Sequence, residues 1–217
     1  MSHITLIRHG QANSAARDEL DYDRLSALGH RQSAWLGSYL RDCQHFHARL
    51  YTGTLRRHVE TAEAMGIDLE PVRDARLNEL EYFTLARAME TEHGLPVPDD
   101  REGFVAHLPR IFTAWQEDRI AGAPESFADF ETRIRSVLTE IAEGDGPALV
   151  VTSGGLIAFS MRHAMRLDIG ATATMALAIF NSSLHRLFPI GGSLAPVLFN
   201  AIPHLEPPDR HHAQTHL

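Results

Sequence analysis

Four short stretches of this chain carry side chains suited to holding and attacking an anion. Arg8-His9-Gly10 follows the apolar run Ile4-Thr5-Leu6-Ile7. Gly53-Thr54-Leu55-Arg56-Arg57-His58-Val59-Glu60-Thr61-Ala62 places basic residues at the start of an expected helix. Leu77-Asn78-Glu79-Leu80-Glu81 supplies carboxylates, and Val150-Val151-Thr152-Ser153-Gly154-Gly155 ends a second apolar run in paired glycines. An arginine fork matches phosphate oxygens in two-point contacts. Helix N-termini present free N–H groups to anions. With a histidine as nucleophile and a carboxylate for proton transfer, such a set suits phosphoryl transfer, where positioning and charge neutralisation supply most of the catalysis.

The elements between these stretches must bring them together. Ile4 to Ile7 reads as a buried strand, so Arg8 and His9 fall where it runs out into a loop. Open α/β sheets bind ligands at such ends. Gln11 to Arg24 lacks a clear period and reads as a loop. Ser26 can cap a helix carrying Trp35, Leu36, Tyr39 and Leu40 on one face. His47 to Tyr51 and Leu69 to Val72 read as short strands. Thr54 can cap the helix between them, which ends at Gly66. Thr84 to His93, the stretch through Phe104, Leu108, Ile111, Phe112 and Trp115, and the stretch from Phe127 to Ile141 carry helical spacing. Ala148 to Val151 fits a central parallel strand. Two or three strands are expected between Ala176 and Ala201. The tail from Pro203 reads as loosely ordered.

Strands alternating with helices predict an α/β fold: a three-layer α/β/α sandwich with a mostly parallel central sheet. Residues 1–217 read as a single domain, with a helical lid or side insertion at about 84–124. The chain has 217 residues, of which 44% are hydrophobic and 22% charged, enough for a substantial core. A formal net charge of −8 argues against nucleic acid or an anionic membrane as partner. No transmembrane run or signal-peptide pattern is read. Cys43 is the only cysteine, which excludes an intrachain disulfide and fits a reducing, cytoplasmic setting. The 14 histidines include His45 with His47 and His211-His212 with His216, yet none shows zinc-site spacing.

Leu6-Ile7-Arg8-His9-Gly10-Gln11, Leu25-Ser26-Ala27-Leu28-Gly29-His30-Arg31-Gln32, Leu55-Arg56-Arg57-His58-Val59-Glu60-Thr61-Ala62 and Leu77-Asn78-Glu79 resemble, in order, the motifs of the histidine phosphatases, the phosphoglycerate mutase-like superfamily. The resemblance spans nearly the whole chain. It implies a phosphomonoester hydrolase working through a phosphohistidine on His9, with Glu79 as general acid. It also implies that Arg8 and Arg57, rather than Arg56, clamp the phosphate. Gln11, Asn13, Ser153 and Gly154 are further expected phosphate contacts. A small phosphorylated substrate or phosphate is the expected partner, and no metal or other cofactor is required. One position departs: the family usually carries a second histidine where this chain has Ser153. The serine variant, together with Phe199-Asn200-Ala201-Ile202-Pro203-His204-Leu205, resembles a bacterial subgroup. Ser153 predicts weakened turnover, because it cannot carry positive charge.

Glu79 and Glu81 would face opposite ways on an extended segment, so one of them enters the site. His58 reads as surface or rim, and Arg56 as solvated. Phe104, Phe112 and Trp115 read as the packed face of the lid helix. Arg17, Arg24, Arg87 and Arg110 are rim candidates for an anionic substrate. Competing readings are a non-catalytic phospho-ligand-binding protein, a phosphoglycerate mutase-type transferase, and a serine hydrolase built on Ser153, Asp168 and His185. The last lacks a Gly-x-Ser-x-Gly elbow. The sequence leaves the physiological substrate and the oligomeric state open.

Overall fold

A computed structural model describes residues 2–13 and 16–216. Its elements, in chain order, are β1 (Ile4–Arg8), α1 (Glu19–Tyr22), α2 (Ala27–Asp42), β2 (Arg49–Thr52), α3 (Arg56–Met65), β3 (Pro71–Arg73), α4 (Tyr82–His93), α5 (Arg101–Gln116), α6 (Phe127–Glu143), β4 (Ala148–Thr152), α7 (Gly154–Met165), α8 (Ile169–Ala178), β5 (Leu184–Ile190) and β6 (Ser193–Ala201). The strands form one sheet in the order β3-β2-β4-β1-β5-β6. β3, β2, β4 and β1 run parallel, while β5 and β6 are antiparallel.

The central strands are apolar throughout because both of their faces are covered. Every residue of β1 and β4 is buried. Alternation sorts their side chains. Ile4, Leu6, Ala148 and Val150 join a large cluster with residues of α4 to α8. Ile7, Leu149 and Val151 join a second cluster with Leu36 and Leu40 of α2 and Met65 of α3. Two apolar layers around one sheet give the expected sandwich.

Register places the motifs. Arg8 pairs with Thr152 and Thr52 with Val151, so β1, β4 and β2 end nearly level. His9, Ser153 and Gly53 are therefore the first residues past three adjacent strand ends. Neighbouring strands are about 4.8 Å apart.

Local chemistry explains several boundaries. Ser26 accepts a hydrogen bond from the Gly29 N–H and caps α2. Thr54 does not cap α3. Leu55 holds that position without a side-chain bond, and the Asp23 carboxylate accepts from the N–H groups of both Arg56 and Arg57. The expected loop from Gln11 to Arg24 contains α1, capped by Asp18; Ser14 and Ala15 lie outside the described residues. The third strand is shifted to Pro71–Arg73, and the last third holds two strands. The segment expected as an insertion, about 84–124, holds most of α4 and all of α5. No helix among the described residues is long and apolar enough to cross a membrane.

The tail is the largest correction. It forms 3₁₀ turns at Pro203–Leu205 and Pro208–Ala213 and buries His204, Leu205 and Ala213. The Gln32 amide donates to the Ala213 carbonyl at 2.7 Å, and Arg8 donates to the His216 carbonyl at 2.8 Å. Backbone acceptors buried this way hold the segment in place, although its composition reads as loose.

Burial pushes the pKa of His185 and of His204 down to about 3, and that of His47 to about 4, from an ordinary 6.5. A histidine whose folded pKa is depressed contributes fully above its unfolded pKa and loses that contribution as pH falls toward the folded value. At pH 5, withholding the proton from each costs about 2 kcal/mol. We expect urea-unfolding midpoints to fall steeply between pH 6.5 and 4.5; a flat profile across that range would contradict the buried, neutral assignment.

Candidate active site

His9 is 2% exposed. Its Nδ1 lies 2.7 Å from the Gly10 carbonyl oxygen. A carbonyl can only accept, so Nδ1 carries the proton and Nε2 keeps its lone pair. Burial, then Arg57, Arg8 and His58, holds the imidazole pKa well below its ordinary value. His9 is thus neutral, with the free nitrogen that a nucleophile needs.

Two guanidiniums flank it. Arg8 donates to the carbonyls of Ile179 and His216, which ties it to the turn before β5 and to the tail. Arg57 is 2% exposed. One of its nitrogens meets Asp23 at 3.0 Å, and its carbon sits 5.0 Å from the Tyr22 ring centroid. Nε of each arginine is buried with no partner. Arg56, by contrast, is 67% exposed and pairs with Glu60.

Glu79 meets the start of α7. Its carboxylate accepts from the Gly155 N–H at 2.8 Å and from the Leu80 N–H at 3.0 Å. A Cβ at position 155 would come within 2.3 Å of Glu79 Oε1, so this approach requires glycine. Glu81 is exposed and accepts from Thr84. Of the two carboxylates, Glu79 is the one that lines the cavity.

That cavity measures about 420 Å³ and is lined by Arg8, His9, Asn13, Arg57, Glu79 and Gly154 among others. Gln11 is not among its walls; its side chain accepts from Ser26 Oγ at 2.7 Å and serves the start of α2. Ser153 is fully buried and, unlike Gly154, is not among the cavity walls. Its hydroxyl meets Nε2 of His58 at 2.6 Å. His58 is therefore neither surface nor rim: it is wholly buried, with its ring centroid 5.8 Å from that of His9. The serine-hydrolase set is not assembled. Asp168 caps α8, while His185 bonds Ser183 and Asn200.

The outer walls are mostly apolar. Tyr22, Tyr82, Phe83, Phe104, Leu108 and Phe112 line them, with Glu19, Asp99, Asp100 and Arg101 as the charged additions. Phe104 and Phe112 thus reach the cavity, whereas Trp115 packs against Phe127 and Phe130. Arg17, Arg24, Arg87 and Arg110 line none of it; Arg24 pairs with Asp21, and Arg87 bonds the Arg17 carbonyl. Asp23, Glu19, Arg101 and His58 were not expected at the site. The helix period could have placed His58 one turn before Ala62, but not at a strand end.

A family model described as "Histidine phosphatase superfamily (branch 1)" matches residues 4–201. The chain belongs to the histidine phosphatase superfamily. Within the superfamily it is 26% identical over 186 residues to a 2,3-bisphosphoglycerate-dependent phosphoglycerate mutase of Tropheryma whipplei, covering 75% of this chain and 83% of that relative. Among solved structures, a mutant phosphoserine phosphatase from Entamoeba histolytica, in complex with phosphoserine, superposes with a TM-score of 0.70 at 15% identity. The match covers 94% of this chain and 100% of that one. A mycobacterial glucosyl-3-phosphoglycerate phosphatase superposes with a TM-score of 0.63 at 25% identity, covering 92% of this chain and 98% of that one. The six-stranded, mostly parallel sheet flanked by helices is the phosphoglycerate mutase-like fold.

Proposed function

We propose that this chain is a metal-independent phosphomonoester hydrolase acting through a phosphohistidine on His9. The observation that carries the reading is the buried His9 imidazole, with Nδ1 held by the Gly10 carbonyl and Nε2 free between Arg8 and Arg57. Nε2 attacks phosphorus in line, and the P–O ester bond breaks. Glu79 gives its proton to the leaving oxygen. Water then attacks the phosphohistidine, returns a proton to Glu79 and releases phosphate. Arg8, Arg57 and the Gly154 N–H at the start of α7 hold the non-bridging oxygens. Asn13 reaches the phosphoryl group or the substrate body from the loop after β1. The guanidiniums neutralise the charge, so the step requires no cofactor.

Under this reading residues 1–217 work as one catalytic unit, and the helical segment at 84–124 covers the phosphate. The lone, exposed Cys43 suits a reducing cytoplasm. The walls select a substrate whose body beyond the phosphate is apolar or aromatic. A second anionic group would meet Glu19, Asp99 and Asp100 as well as Arg101, which disfavours bisphosphate retention and mutase turnover.

The test is a panel of phosphomonoesters with rapid-quench mass spectrometry on an activated aryl phosphate. We expect an acid-labile phosphate on His9 and kcat/KM about tenfold or more higher for aryl and long-alkyl esters than for phosphoglycerates. Turnover without phosphohistidine, or a preference for phosphoglycerates, would refute the corresponding part. Phosphate binding with no burst of product would favour the non-catalytic reading.

A further inference from the structure

His58 is a wholly buried titratable ring that the scheme above does not use. It approaches from the third residue of α3, and its Nε2 lies 2.6 Å from Ser153 Oγ. Its Nδ1 is buried and has no hydrogen-bond partner. The loop after β2 closes over that nitrogen so tightly that a Cβ at Gly53 would come within 2.2 Å of it. A proton on Nδ1 would thus be a buried donor with nothing to meet, which costs more than an unused lone pair. The proton belongs on Nε2, and Nε2–H donates to Ser153 Oγ. A serine hydroxyl accepts and donates at once. With its lone pair engaged by His58, the Ser153 proton is left to point elsewhere. Ser153, fully buried, stands level with His9 at the next strand end, directly before Gly154 and Gly155, which line the cavity.

We infer that His58 and Ser153 act as one relay, Nε2–H to Oγ and Oγ–H to a phosphoryl oxygen, which returns an imidazole donor to the wall of the site opposite His9. Ser153 is itself fully buried one residue before the lining Gly154, so in the relay its hydroxyl meets the phosphoryl oxygen only as that group seats, and His58 is its positioning residue. The pair deepens the hydrolase reading and rests on it for its place in turnover. Each bond of a donor chain polarises the next, so the relayed hydroxyl is a stronger donor than an isolated serine. The ring reaches this wall from position 58 because Gly53 leaves room for it beneath the loop.

A double-mutant cycle between the two positions tests the relay, read as vanadate affinity by calorimetry and as kcat on an aryl phosphate. We expect His58→Ala and Ser153→Ala each to lose about 10- to 100-fold in both, with KM far less affected. The double alanine variant should match either single within about twofold, because one chain is broken in each case. The transposed pair, His58→Ala with Ser153→His, should recover most of the loss; a merely structural ring would not do this. Additive losses, unchanged vanadate affinity in a folded His58→Ala, or a transposed pair no better than Ser153→Ala would overturn the relay. Should His58→Ala fail to fold, His58→Phe, which keeps the bulk of the ring without its N–H, takes its place in the cycle. Vanadate affinity that follows the cycle in a protein forming no phosphohistidine would sink the hydrolase reading alone. Normal phosphohistidine with additive losses would sink only the relay.

Discussion

His9→Ala is expected to lower kcat by about 10³-fold or more, since the variant has no other group placed to accept the phosphoryl. His58 is not a substitute, because it is buried behind the strand ends with Nε2 committed to Ser153. Binding should survive far better than turnover. Arg8, Arg57 and the α7 amides are untouched, and removing the ring enlarges the space for an anion. We therefore expect inorganic phosphate to bind His9→Ala within about tenfold of its wild-type affinity, measured by calorimetry, while steady-state kinetics shows the collapse in kcat. Wild-type-like turnover in the variant would show that phosphorus is attacked by something else. In the wild type, burial and two guanidiniums hold the imidazole neutral well below its ordinary titration range. The nucleophile is therefore already in its reactive form at pH 6.

Arg57→Gln is the second large effect. The guanidinium is 2% exposed. It spends one nitrogen on Asp23 at 3.0 Å, which in the proposed mechanism leaves the remainder of its fork to the anion. Removing a fixed donor from a developing oxyanion costs about 10² to 10³ in rate, and we expect a loss of that order in kcat/KM. Arg57→Lys should recover only part of it, because a point charge cannot reproduce two-point contact. Thermal stability should change much less than activity: Asp23 keeps the N–H groups of residues 56 and 57, and α3 keeps its cap. The neighbouring Arg56→Gln is the control. Its side chain is exposed and paired with Glu60 on one helix face, an arrangement of small energetic worth. Kinetics within about twofold of wild type is expected there. Equal losses at both positions would show that the two arginines act only through bulk charge.

The elements that frame the site are legible in the chain because they depend on local periodicity. β1 and β4 are continuous apolar runs, as a doubly covered strand must be. α2 and α6 begin at serine caps and carry one apolar face each. Order along the chain, combined with the family resemblance, pointed to His9, Arg57 and Glu79, and the fold brings all three to one cavity. Alternation on the segment after β3 also required that only one of Glu79 and Glu81 face inward.

Other features depend on contacts between residues far apart in sequence. Thr54 has the composition of a cap, yet Asp23, 33 residues before Arg56, supplies that bond. A Pro- and His-rich tail reads as loose until its carbonyls meet Gln32 and Arg8. Gln11 stands two residues after His9 in sequence, but its amide is drawn to Ser26. His58 is the sharpest case. One residue after an arginine, on a largely polar helix, it has the look of a solvated side chain. Its burial is decided by Gly53 on one side and Ser153 on the other, neighbours set by the register of β2 against β4. Sequence alone determined the sheet, its helical cover and the half of the site that bears His9. The tertiary structure decided how the opposite wall is built, because that wall is made of side chains whose partners arrive only when the parallel strands align.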